Sequence, residues 1–409
     1  MGAQLIDEVL AVILAGGQGS RLYPLTRDRA KPSVPFAGVY RIIDFTLNNC
    51  MNSGIRHILV LSQYKSVSLT THLRDGWSFL PSGLGEFITM LPPQMRVSED
   101  WYRGTADAVY QNIYSIEGHG PKYTLILSGD HIYKMDYTKL LDFHLKKGAH
   151  LTVAAIEVNK NEAKNFGILS VDADDRVIGF EEKPEEPVTL PHEPSKAYAS
   201  MGIYIFDTDT MIEVITADAQ TDSSHDFGRD IIPAMAQEER VYAYPFGREE
   251  SEPDRRYWRD VGTIDAYFEV NMELCGVTPV LNLYDERWPL RTYHPQLPPA
   301  KTVFEDFHGN RVGLALNSLV SPGAIISGGR VYNSVISPRV HIHSYAEVAY
   351  SVLMNDVDVG RGARIRKAII DKYVRIPEGE TIGYDLEKDS RRFYVSEGGV
   401  VVIPKGTVL

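Results

Sequence analysis

The chain has 409 residues, 44% of them hydrophobic, and a formal net charge of −12 at pH 7. That length suits one large enzyme domain followed by a smaller one, and the apolar share excludes global disorder. The acidic balance argues against a general nucleic-acid or membrane-surface binder, while leaving room for a local basic pocket around a phosphorylated metabolite.

Cys50 and Cys275 fit no metal or disulfide framework. No apolar run reaches the length of a bilayer span, and the first apolar run lacks the basic stretch that precedes a secretory leader. The expected location is cytoplasmic.

The first element is an apolar run, "VLAVIL" from Val9 to Leu14, which leads into "LAGGQGSRL", Leu14 to Leu22. Such a loop is either a tight turn or a backbone that touches a phosphate. It does not fit a dinucleotide fingerprint, because Leu22 stands where the third glycine belongs. The next strand, "HILVLSQY", also ends in Ser62 and Gln63 with no acid for a ribose. Arg21 follows the glycines, and Lys31 follows in "RDRAKPSVPF". A glycine cradle with two cations suits a polyphosphate; the alternative is a turn beside a solvated basic face.

Further along, "HILVL" (57–61), "YTLILSGD" (123–130), "LTVAAIEV" (151–158) and "GIYIF" (202–206) predict strands. "IIDFTLNNCMNSG" (42–54), "GTADAVYQNIYSIEG" (104–118) and "YTKLLDFHLKKGA" (137–149) predict helices. The alternation implies an α/β, Rossmann-like domain: a mostly parallel sheet, helices on both faces, ligands beyond the carboxyl ends of the strands. In "WYRGTADAV", Tyr102 and Arg103 precede a helix opened by Gly104 and Thr105, whose N-terminus would attract an anion. Asp130 ends the strand of "LILSGDHIY" and suits Mg²⁺, which takes one or two carboxylates plus phosphate oxygens; the alternative is a turn cap. Asp260 in "YWRDVGT" is a second such carboxylate, or a helix N-cap. Glu181, Glu182 and Lys183 in "FEEKPEEP" make either a sugar-phosphate clamp or a solvated charge run. His57, His72, His131 and His225 show no metal spacing and read as structural. With no nucleophile–base pair, the chemistry points to direct displacement at phosphorus by positioning and charge neutralisation.

A segment rich in proline (282–306) carries no clear period. After it Val335, Val352 and Ile369 recur every 17 residues, as do Val340, Val357 and Val374, and Ala346 and Ala363 share the spacing. Small or branched residues every five or six positions predict a parallel β-helix of triangular section; evenly spaced turns of a sandwich are the alternative. The expected domains are 1–280, a linker 281–310, and a β-helix 311–409.

At this point the chain resembles the ADP-glucose pyrophosphorylase (glucose-1-phosphate adenylyltransferase) family over nearly its whole length. The matching motifs include "LAGGQGSRLYPLT", "RAKPSVPF", "WYRGTADAV", "SGDHIYKMDY", "PSKAYASMGIYIF", "SSHDFGRDIIP", "YWRDVGTIDAYFEVN" and "RRFYVSEGGVV". The resemblance implies that ATP and α-D-glucose 1-phosphate give ADP-glucose and diphosphate, with Mg²⁺ on Asp130 and Asp260 and catalytic roles for Arg21, Lys31 and Asp130. It implies ATP contacts at Leu14, Ala15, Gly16, Gly17, Gln94, Gly104 and Thr105. It implies glucose 1-phosphate contacts at Tyr102, Gly167, Glu182, Lys183 and Ser200. It further implies a left-handed β-helix, a homotetramer, a sugar-phosphate activator, and inhibition by AMP, ADP or phosphate. Where some members place an activator-linked lysine this chain has Asp28, so Arg29, Arg391, Arg392 and Lys405 are the candidate effector contacts, or ordinary surface cations. The rival readings are a UTP- or GTP-dependent sugar nucleotidyltransferase, a non-catalytic regulatory subunit, and an acyltransferase using His341 or His343.

Overall fold

The computed structural model describes residues 5–93, 101–190, 193–248, 250, 253–306 and 308–409. Gln94 therefore lies outside the described residues.

The strand Val9–Leu14 organises the first domain. All but its last residue are buried, because it has a strand on either side and helices over both faces. Its side chains alternate: Val9, Ala11 and Ile13 join one core with Leu47 and Leu140, while Leu10 and Val12 join another with Val109 and Met211. His57–Leu61 and Tyr123–Ser128 flank it in parallel, and Phe87–Leu91 extends the parallel set. Parallel neighbours need crossovers, which the helices Ile42–Asn52, Val67–Trp77 and Thr105–Tyr110 help supply. The helix Tyr137–Lys147 starts where the Asp136 carboxylate accepts the Thr138 amide at 2.9 Å.

The nine-stranded sheet is mixed. The twelve-residue strand Lys196–Asp207 runs against Tyr123–Ser128, Leu151–Asn159 and Gly167–Val171. Gly167–Val171 lies between it and Val177–Glu182 and runs antiparallel to both. Its register on Leu151–Asn159 shifts between Ser200 and Tyr204.

The helix expected over 104–118 is two pieces, Thr105–Tyr110 and Ile113–Glu117. Asn112 interrupts it: its amide donates to the Ala108 carbonyl at 2.8 Å and to the Tyr102 hydroxyl at 3.0 Å. An asparagine that bonds its own backbone competes with helix continuation.

Between 281 and 300 the chain has no regular structure, yet it is held down along Ile42–Asn52. Asn48 exchanges hydrogen bonds with the Arg291 backbone at 2.7 and 2.8 Å, and Thr292 donates to Asp44 at 2.6 Å.

Three parallel ladders follow, stacked as the faces of a prism. Val335 pairs with Val352 and Val352 with Ile369; Ile342, Val359 and Ile376 stack in the second ladder, and Val348, Ile365 and Ile382 in the third. Val340, Val357, Val374, Ala346 and Ala363 are all buried. The 17-residue spacing is thus one coil, because parallel in-register stacking requires coils of equal length. This prism docks on the α/β domain through a shared apolar core that includes Phe36, Phe45, Tyr267, Val335, Val352 and Val402. Beside that core, Arg29 donates to both Asp371 oxygens at 2.9 and 3.0 Å, both side chains sealed from solvent.

Candidate active site

Segments far apart in sequence converge on one cleft of about 610 Å³ at the carboxyl ends of the parallel strands. The loop after Val9–Leu14 forms one wall, with Leu14, Ala15, Gly16 and Gly17 lining it. A Cβ at Gly17 would meet no heavy atom within 4 Å. Packing therefore does not demand a glycine at Gly17, whereas Gly19 in the same loop does turn the chain, at φ 62° with Thr26 and Lys31 close by, so the loop is both a tight turn and an open backbone. The missing side chain at Gly17 leaves open space in the cleft, as a phosphate cradle needs.

The buried Lys31 ammonium stands between two carboxylates, 2.9 Å from Asp130 Oδ2 and 2.9 Å from Asp260 Oδ1. Strand pairing sets this up: Trp258–Asp260 runs antiparallel to His131–Tyr133, which puts Asp260 opposite His131. Asp260 ends that strand, while Thr263 caps the next helix, so the N-cap reading of Asp260 falls. Arg21 is more exposed and reaches to 3.8 Å from Asp260 Oδ2.

Burial alone would raise the Asp130 carboxyl, but Lys31, His131 3.5 Å away and the Ser128 hydroxyl outweigh it and hold the group well below the usual carboxylate range. Burial alone would weaken the Lys31 ammonium, and the two carboxylates hold it above its ordinary value. Asp130 is thus ionised near neutral pH, and each of the two acids offers Lys31 only one of its oxygens. The ligating atoms of Asp130, His131 and Asp260 lie within 4.8 Å of one another, so this donor set fits a divalent cation.

On the opposite wall, Gly167, Glu182, Lys183 and Ser200 line the cleft. Lys183 Nζ is 2.8 Å from Glu182 Oε1 and half-exposed. Its backbone is held at φ 50° with its amide on the Phe166 carbonyl at 3.0 Å, an uncommon conformation for a lysine. Ser200 sits at the register shift of its strand, a bulge that re-aims side chains. Tyr102 and Thr105 complete the mouth.

One expectation needs correcting. The amides of Ala106 and Asp107 both donate to the His225 carbonyl, at 2.8 and 3.3 Å, so they are not presented to an anion. Gly104 is there for that close approach, since a Cβ would fall 2.2 Å from the same carbonyl oxygen. The Thr105 hydroxyl donates to Asp226 at 3.0 Å and accepts the Phe227 amide at 3.0 Å, which fixes Asp226 at the cleft.

His131 also departs from its structural reading, since it lines the cleft beside Asp130. His72 and His225 keep theirs, buried against Asp44 at 2.6 Å and Asp218 at 2.8 Å. Gln63, which donates to the Tyr102 carbonyl at 3.3 Å, and Asp226 are cleft residues that the sequence reading missed. For Asp226 the signal was present in "SSHDFGRDIIP", a motif from which no residue stood out.

Arg29, Arg391, Arg392 and Lys405 lie outside the cleft lining. Arg29 and Lys405 sit at the seam between the domains, where Arg27 Nη2 donates to the Lys405 carbonyl at 2.7 Å. Burial, followed by Arg41 and Arg29, draws the nearby Lys372 ammonium down to about 7. Arg391 pairs with Glu387 and Arg392 with Glu380; among the described residues neither shares a partner with Arg29 or Lys405.

Fold and cleft together define a nucleotidyl transferase: residues 10–276 match the nucleotidyl transferase family model, and residues 298–403 match the GlmU-like C-terminal hexapeptide model, in keeping with a left-handed β-helix. The chain is 53% identical over 401 residues to a glucose-1-phosphate adenylyltransferase of Koribacter versatilis (strain Ellin345), covering 97% of this chain and 95% of that protein. It is 52% identical over 409 residues to one of Rhodopirellula baltica, covering 99% and 92%. One of Anaeromyxobacter sp. (strain Fw109-5) is 50% identical over 404 residues, covering 97% and 98%. The chain belongs to the glucose-1-phosphate adenylyltransferase family. Among the described residues no helix is long and apolar enough to cross a membrane.

Proposed function

We propose that the chain joins ATP and α-D-glucose 1-phosphate into ADP-glucose and diphosphate. A phosphate oxygen of the sugar phosphate forms a bond to the α-phosphorus of ATP as the bond from that phosphorus to the departing diphosphate breaks. The observation that carries this reading is Lys31 held between Asp130 and Asp260 beneath an open glycine loop. Two anions must approach one another, so the work is charge neutralisation and alignment. Arg21 reaches into the cleft from the nucleotide wall, and Lys31 holds the floor. Lys183, steadied by Glu182, orients the sugar phosphate from the opposite wall, with Tyr102, Gly167 and Ser200 around the sugar. Leu14 to Gly17, Gly104 and Thr105 border the nucleotide.

Nucleotidyl transferases generally use a divalent metal ion. Here the ion is proposed to be Mg²⁺, held by Asp130 and Asp260, where it would offset charge on the phosphates.

The reading extends to a homotetramer built through the β-helix, a cytoplasmic location, and control by a sugar-phosphate activator and by AMP, ADP or phosphate. Support for an effector site lies at the seam, where Lys405, Arg41 and Lys372 crowd together. Arg29 already serves Asp371 there and acts as scaffold. Arg391 and Arg392, engaged with their own acids, are the weaker candidates.

The test is diphosphate release from ATP and glucose 1-phosphate, run with each of the four nucleoside triphosphates, with excess EDTA, and with a panel of sugar phosphates. ATP-selective, EDTA-sensitive release is expected. Equal turnover of UTP or GTP, or release undiminished by EDTA, would overturn the reading.

A further inference from the structure

The adenylyl chemistry leaves one group of metal-binding side chains on the β-helix without a use. His341 and His343 lie on one coil, and Asp358 stands on the next, directly opposite His341 in the parallel ladder. Side chains alternate along a strand, so Ile342 turns into the core while both histidines share the outer face. Their ring centroids are 3.9 Å apart.

Both rings address the same carboxylate oxygen: His343 Nε2 is 3.0 Å from Asp358 Oδ1, and His341 Nδ1 is 3.7 Å from it. A hydrogen bond accounts for the first distance but not the second, which is too long. Both distances would suit one cation held between the three. With metal–ligand bonds near 2.0–2.1 Å, a tetrahedral ion spaces its ligand atoms roughly 3.3 Å apart, and the two distances bracket that value. All three donor atoms lie within 4.8 Å of one another. The side chains are 37%, 38% and 44% exposed, so an ion reaches them from solvent. Arg375 is next in the same column, yet among the described residues no ion pair joins it to Asp358.

We propose that His341, His343 and Asp358 form a site for one transition-metal dication of the zinc class, with its fourth position open to water. Two imidazoles and one carboxylate suit Zn²⁺, Ni²⁺, Co²⁺ or Cu²⁺ and not Mg²⁺, which takes oxygen ligands. Because the ligands come from consecutive coils, the bound ion clips one coil to the next. The site is separate from the cleft and does not depend on the adenylyl-transfer reading.

The test uses the full chain, stripped with chelator and titrated with Zn²⁺ by calorimetry in an Asp130→Ala/Asp260→Ala host, because the cleft set of Asp130, His131 and Asp260 would itself take Zn²⁺. That host is expected to bind one equivalent of Zn²⁺ and to melt at a higher temperature with it, since binding only the folded state stabilises it. Adding His341→Ala/His343→Ala to the host should abolish that equivalent and the rise in melting temperature; in the wild-type chain the same two changes should leave Mg²⁺-supported diphosphate release unchanged. In the host, Asp358→Asn alone should weaken Zn²⁺ binding by no less than the about 10–100-fold that losing a mere supporting residue costs. If the double histidine variant misfolds, the single exposed change His343→Gln reads the same loss. Zn²⁺ bound equally well by the host and its variants, or not bound by the host at all, would overturn the proposal.

Discussion

Arg29 and Lys31 stand two residues apart and meet aspartates in opposite surroundings. In the cleft, Lys31 faces Asp130 and Asp260, whose side chains keep 30% and 21% of their surface exposed. At the seam, Arg29 faces Asp371, which keeps 2%. The cleft acids each retain an oxygen that Lys31 does not take and a path to solvent, so they can exchange partners as charged ligands come and go. The seam pair has nowhere to turn and can only hold. Similar chemistry thus leaves one pairing open to exchange and makes a fastener of the other, and burial decides which.

The largest effect should come from unsealing the fastener. Asp371→Ala leaves the Arg29 guanidinium buried and unpaired, and should cost about 3–5 kcal/mol of stability in chemical denaturation. A loss below about 1 kcal/mol would mean that the pair behaves like a surface salt bridge and would erase the contrast.

In the cleft the corresponding change should spare folding and harm turnover. Asp130→Ala should lower kcat by on the order of 10²–10³, as removal of a single transition-state contact does, with a modest change in KM and no loss of melting temperature. A near-normal kcat would remove Asp130 from the mechanism. Lys183→Ala should raise KM for glucose 1-phosphate about tenfold, the worth of one hydrogen bond to a charged group, with less effect on ATP; an equal rise for both substrates would contradict its place on the sugar wall.

Smaller still is Gly17→Ala. Its backbone and its surroundings both admit a methyl group, so stability should move by no more than about 1 kcal/mol, while KM for ATP rises. Unchanged ATP kinetics would show that the nucleotide does not use that space.

The seam also titrates. Lys372 releases its proton near pH 7 in the folded chain against an ordinary value of 10.5. The unfolded chain therefore holds more protons between those values, and stability should rise with pH across that window. Below about pH 7 the penalty of the charged lysine is fully present. Lys372→Met should flatten this part of the wild-type curve, and an identical slope in the two proteins would show that Lys372 does not cause it.

Much of this was legible in the sequence because the underlying physics is local or periodic. Val335, Val352 and Ile369 announce their stacking, since equal coils need equal spacing. Val9–Leu14 and its glycine loop identify themselves through burial and backbone freedom. Asp130 and Asp260 were legible as strand-end carboxylates and Lys31 as a loop cation, whereas the sharing of that lysine by both acids was not, because only the pairing of Trp258–Asp260 with His131–Tyr133 brings them together. His131 was misread although Asp130 adjoins it, because only the strand pairing brings the second acid, Asp260, opposite it. The break at Asn112 depends on a hydroxyl ten residues upstream, and the seam cations Arg41 and Lys372 meet only once the prism docks. The anion site expected at Gly104 failed because a carbonyl from residue 225 reaches those amides first.

The ladder that holds Val335 carries a column of side chains along one corner. The Ser318 hydroxyl accepts the Ser334 amide at 3.1 Å, Ser334 accepts that of Ser351 at 3.1 Å, and Ser351 accepts that of Ala368 at 3.3 Å. At Ala368 the hydroxyls run out. The chain then leaves its 17-residue rhythm and returns as Val401–Ile403 along Ala368–Ile370, itself covered by Tyr394–Val395. The serine column ties coil to coil, and the antiparallel Tyr394–Val395 covers the last rung of this ladder, so its edge is not left open to a strand of another molecule.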